Sequence, residues 1–154
     1  MQLSYSKEMA VGLAGQIAGT FEPKKIVSLL AEGADLAVGV PVELGTDAAK
    51  QCVALTAVDN FFGVSVLPLG KEQDAAGAVK YKADTMAAVM QMGRIFVTAS
   101  AAVAAGVEVV PATSGKFAAG TSDAAVKAFA VSAAAADGDL FMIELTGLQG
   151  TPAT

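Results

Sequence analysis

From Val38 onward the chain alternates. Val38, Val40, Val42 and Leu44 fall on one side of an extended backbone, with Gly39, Pro41 and Glu43 on the other. A period of two places successive side chains on opposite faces of a strand, so this spacing predicts β structure. Phe62, Val64 and Val66 repeat it against Gly63 and Ser65. Ile95, Val97 and Ala99 alternate with Phe96 and Thr98, and Lys127, Phe129 and Val131 with Ala128, Ala130 and Ser132. The last run is the cleanest, with Phe141, Ile143 and Leu145 inward and Met142, Glu144 and Thr146 outward.

Turn chemistry divides these runs at short intervals. Gly45-Thr46-Asp47, Asp59-Asn60, Thr113-Ser114-Gly115-Lys116 and Asp137-Gly138-Asp139 bring residues that tolerate tight or left-handed backbone. Many short strands with frequent turns predict an all-β fold, a small antiparallel β-barrel or sandwich with at most short helical turns. Residues 1–36 read as an extended N-terminal arm punctuated by Gly12, Gly15 and Gly19, residues 37–147 as the β domain, and residues 148–154 as a flexible tail. Ile26–Glu32 suits a short helix or a strand, and the β character of the rest favours the strand. The stretch at 70–78 is polar and loop-like, and 99–105 (ASAAVAA) is expected to form a short helical turn, since alanine is the best helix former.

A faint internal echo is also present. Residues 37–43 (AVGVPVE) resemble 104–110 (AAGVEVV), and in both a turn ending in glycine launches a strand. If the echo reflects structure, two β-hairpin units pack into one barrel.

Composition narrows the function. The chain has 154 residues, 54% hydrophobic and 16% charged, which suits one folded domain rather than a disordered polyelectrolyte. Much of the hydrophobic fraction is alanine, so the core rests on scattered Val, Leu, Ile, Phe and Met, and apolar surface is left for copies or partners to cover. Met86, Met90 and Met92 fall on one strand face, fit for core filling or a subunit contact. The net charge of -5 opposes nucleic-acid binding, which needs a basic footprint, and the longest basic run is Lys24-Lys25. No secretory leader and no apolar run long enough for a membrane helix is recognised, so a soluble, cytoplasm-like setting without membrane contact is expected.

The reactive inventory is thin. There is no histidine, which removes the commonest general base, and the single Cys52 reads as a small buried hydrophobe. The carboxylates Glu43, Asp47, Asp59, Asp84, Asp123, Asp137, Asp139 and Glu144 lie mostly in expected turns, where Asp bonds nearby amides. Asp137-Gly138-Asp139 supplies too few oxygens for a calcium loop. Gly12, Gly15 and Gly19 lack the strand-to-helix context and the Lys-Ser/Thr of a phosphate loop. No cofactor and no metal is expected.

Four segments carry a family resemblance. The opening SYSKEMAVGLAGQIAGT, the phrase AEGADLAVGVPVELGTD, the later GRIFVTASAAVAAGVEVVPATSGKF and the closing GDLFMIELTG together resemble the structural cement, or decoration, proteins of tailed-bacteriophage capsids. The resemblance implies a small β-rich protein without activity or cofactor, set on the outer capsid surface of the virion and bridging neighbouring major capsid protein subunits. A homo-oligomer made in the host cytoplasm is expected, a trimer suiting threefold positions between capsomers and a dimer twofold ones, with the trimer favoured. Within the arm, Tyr5, Lys7, Met9, Gln16 and Phe21 are the candidate capsid contacts. Two other classes remain to be separated from it: a β-rich receptor- or glycan-binding virion module, and a hydrolase working with carboxylates alone.

Overall fold

The computed structural model describes residues 12–18, 24–68 and 77–148. Within them the chain forms eleven strands: β1 (Lys25–Ala31), β2 (Leu36–Ala37), β3 (Pro41–Leu44), β4 (Gln51–Ala54), β5 (Gly63–Ser65), β6 (Lys80–Tyr81), β7 (Met86–Thr98), β8 (Glu108–Pro111), β9 (Phe117–Ala119), β10 (Val126–Ala130) and β11 (Leu140–Leu148). The one helical element among the described residues is a 3-10 turn at Val58–Asn60. The all-β class is as the sequence predicts. Ile26–Glu32 is settled as a strand, and residues 25–31 of the expected arm are built into the main sheet.

Nine strands share one sheet in the order β1-β4-β3-β5-β7-β11-β10-β8-β9, and β1 pairs with β7 as well. That extra pairing closes β1, β4, β3, β5 and β7 into a ring. A second closure follows at the other end. Ala99, the residue after β7, makes a parallel bridge with Phe117 of β9, which rings β7, β11, β10, β8 and β9. The molecule is two small barrels that share one long strand.

β7 can serve both barrels because it changes phase midway. Lys25 opposes Met92 while Ile26 opposes Met90, so Gln91 is an extra residue bulged out of the ladder. Gly93 follows at φ 124, a conformation that side chains rarely tolerate. Before the bulge Ala87 and Val89 enter the core of the first barrel, with Leu29, Val42, Cys52 and Tyr81. After it Ile95, Val97 and Ala99 enter the core of the second, with Val109, Phe117, Phe141 and Ile143. Met90, of opposite parity, faces that second core already. The strict alternation expected along this strand therefore holds in two segments, not one. Of its methionines, Met90 is core and Met86 is exposed.

One expectation is corrected. Residues 99–105 form no helical turn: Ala99 and Val103 are drawn into bridges with Phe117 and Ala134, and this pairing outweighs alanine's helix preference. Glu43 lies in β3, where the alternation places it, with 8% of its surface exposed, and it accepts hydrogen bonds from Thr56 Oγ1 (2.6 Å) and Thr56 N–H (3.0 Å).

Candidate interaction surface

Several described side chains capable of chemistry are held in structural work. Cys52 is fully buried in the first barrel, and burial pushes its thiol pKa up, away from the reactive thiolate. For Glu43, burial acts to raise the carboxyl pKa, but hydrogen bonds from Thr56 and Ala57 together outweigh it and hold the group below the usual range. Asp137 pairs with Lys116 at 2.6 Å, joining two hairpin tips of the second barrel. Asp139 Oδ2 accepts the N–H groups of Ala135 and Ala136, as a turn aspartate does. Among the described residues no group of three or more metal-ligating side chains comes together.

The N-terminal segment has a defined seat. Gly15 N–H donates to Phe96 O (2.8 Å), Phe96 N–H to Gln16 O (3.0 Å), and Ala18 N–H to Arg94 O (3.0 Å). Ile17 thereby bridges Ile95, and residues 15–18 run as a short antiparallel strand along the edge of β7 opposite β11. Glycine is required here. A Cβ on Gly15, whose φ is 82, would stand 2.8 Å from the backbone nitrogen of Gly39, and one on Gly12 would meet the Phe96 ring at 2.6 Å. Gly12 and Gly15 thus let this segment lie close against the chain's own sheet.

Of the five candidate contacts, Tyr5, Lys7, Met9 and Phe21 lie outside the described residues. Gln16 is exposed and its Oε1 accepts the Leu13 N–H at 3.0 Å. Beside it Leu13 is 58% exposed, and Leu13, Gln16, Ile17 and Leu67 line a shallow, mostly apolar depression.

Further apolar side chains stand in solvent: Ile26, Met86, Phe129, Leu140 and Leu148. Phe129 is among those the sequence reading did not single out. In register across the second barrel Glu108, Phe129, Glu144 and Arg94 are direct neighbours on β8, β10, β11 and β7. Lys127 lies 3.6 Å from Glu108, and Arg94 lies 3.7 Å from Glu144, so charge rims the exposed ring. The signal was in the strand itself. Val126, Ala128 and Ala130 face the core, and small residues inward send the large ring outward.

These strands and exposed apolar side chains define a small all-β protein with two closed barrels. Residues 1–146 match the sequence profile of the structural cement proteins described by E217 gp24 and Pam3 gp6. The chain belongs to the structural cement protein family. It is thus a capsid cement or decoration protein of the virion, with a structural role and with phage capsid proteins as its partners. Among solved structures, a chain from the capsid of Myoviridae phage XM1 has the same fold, with a TM-score of 0.63 over 98% of each chain at 16% identity. No curated protein matches the chain.

Proposed function

We propose that the chain binds the outer surface of a phage head and bridges neighbouring major capsid protein subunits, stabilising the shell without catalysing any reaction. The observation that carries this reading is the family match across residues 1–146. The exposed apolar side chains on a closed β body support it, because they provide contact area without reactive groups. Several modest interfaces on a fixed lattice give high avidity, so no single deep site is needed. The chain assembles as a homo-oligomer, a trimer at a threefold junction. The N-terminal region carries much of the capsid contact, through Tyr5, Lys7, Met9, Gln16 and Phe21.

Because residues 15–18 and 25–31 are tied to β7, the test removes only residues 1–11. Heads assembled without the protein are mixed with the full chain or the truncated one, and bound protein is measured by co-sedimentation. The full chain is expected to saturate the heads and to raise the temperature at which they release DNA. Truncation is expected to weaken retention at least tenfold. Equal retention of both chains would refute the assignment of the contact to the N-terminal region.

A further inference from the structure

The two barrels repeat each other strand for strand. In the first, Val42 opposes Ala54 on one side and Gly63 on the other. In the second, Val109 opposes Ala119 and Ala128 in the same way. Val64 opposes Met90 as Phe129 opposes Glu144, and Val27 opposes Val89 as Ile95 opposes Ile143. Even the closing parallel contact recurs, Ala31 with Cys52 and Ala99 with Phe117.

The loops agree as well. Gly39 N–H donates to Ser65 O at 2.8 Å, and Gly106 N–H to Ala130 O at 2.7 Å. Asp84, with φ 60, donates its N–H to Ala31 O, while Gly138, with φ 90, donates to Ala99 O. Two units of one topology thus share β7, which ends the first and begins the second. In this correspondence β1 is the counterpart of the second half of β7, with Ile26 matching Arg94 and Ser28 matching Phe96.

The match fails at one place. On β7, the Arg94 carbonyl and both backbone groups of Phe96 are taken by residues 15–18. On β1, Leu30 N–H points away from β7 and donates to Lys50 O, so by strand alternation Ile26 and Ser28 present their backbone groups in the same direction. β4 reaches only Leu30 and Ala31, and among the described residues nothing pairs with that edge at Ile26 and Ser28. Ile26 is 43% exposed and Ser28 is exposed. An unpaired edge of this kind is a template for an added strand.

We infer that the β1 edge at Ile26–Ser28 accepts an extended strand from the capsid protein, taking the place that residues 15–18 fill in the other barrel. This rests on the cement reading above and names a contact within it. Chemistry at the edge specifies the occupant. Lys24 and Lys25 are exposed at its start and form the longest basic run of an acidic chain, so the docking segment is extended, small or apolar along Ile26–Ser28, and acidic beside the two lysines. A second copy of this chain is the rival occupant, and the oligomeric state of the variants separates it from a capsid strand.

The test uses Ser28→Pro and, separately, the pair Lys24→Glu and Lys25→Glu, in the full chain on cement-free heads. Proline on an outward N–H is tolerated at an edge strand yet removes the donor and blocks the approach of a strand. Circular dichroism and melting temperature are expected to match the wild type, with retention on heads falling at least tenfold for Ser28→Pro. The charge reversals are expected to weaken retention and make it less sensitive to salt. If Ser28→Pro fails to fold, the reversals decide alone. Wild-type retention by both variants overturns the inference and leaves the cement reading standing, whereas a wild-type chain that ignores heads defeats that reading first. A capsid-free oligomer that Ser28→Pro dissolves would make a second copy the occupant and would also overturn it.

Discussion

Replacing Phe117 by Ala tests whether the two barrels stand or fall together. Phe117 is fully buried in the second core and meets the Phe61 ring edge-on, with centroids 5.9 Å apart and planes at 76°. Truncating such a side chain costs about 3–5 kcal/mol, since transfer energy is lost and a cavity remains. For a chain of this size each kcal/mol lowers the melting temperature by about 2–4 °C, so a drop of roughly 6–20 °C is expected. Because β7 belongs to both barrels, the damage should spread. Cys52 lies in the first barrel, at the position matching Phe117, and is fully buried. Its reaction with a thiol reagent during urea titration reports the first barrel directly, while far-ultraviolet circular dichroism reports both. In the wild type and in Phe117→Ala the two probes should trace one coincident transition. A Cys52 that stays protected after half of the dichroism is lost would refute the coupling through β7, and a loss below about 1 kcal/mol would refute the packing argument.

Other expectations follow from single sites. Gly15→Val should destabilise by at least about 2 kcal/mol, from left-handed strain together with the clash on Gly39, and equilibrium urea denaturation measures it. Glu43→Gln should cost about 1–3 kcal/mol at neutral pH, because the amide cannot replace a carboxylate among donors. The Glu43 pKa is lowered on folding, so its contribution is full above the unfolded value near 4.5 and fades as pH falls through the folded one. The wild-type melting temperature should therefore fall on acidification, and the fall should be smaller in Glu43→Gln. Glu144→Gln, by contrast, should change stability by less than about 1 kcal/mol, since its pair with Arg94 is half exposed.

Local physics was readable from the sequence. Phe141, Ile143 and Leu145 alternate inward because one face of β11 meets the core throughout, and period-two spacing records that directly. The turns at Gly45–Asp47 and Asp137–Asp139 follow from local chemistry too, whereas the strand Lys25–Ala31 was favoured over a helix only by the β character of the rest of the chain. Closure of the sheet was not legible. Ala31 with Cys52 and Ala99 with Phe117 are long-range pairs, and no spacing within either partner encodes the other. The faint likeness of residues 37–43 to 104–110 was the visible trace of a repeat whose matching lies in register, with little in side-chain identity. Likewise, alternation along Lys127–Val131 did not say which face is inward, and Phe129 points out because Ala128 and Ala130 fill the narrow interior. At the candidate surface, four of five contacts lie outside the described residues, so Gln16 alone can be placed.

Cryo-electron reconstruction of mature heads at side-chain resolution tests the cement role most directly. It should show double-barrel density seated on the shell exterior, each copy touching at least two capsid subunits. Heads bearing no such density, or copies that each touch a single subunit, would contradict a bridging function.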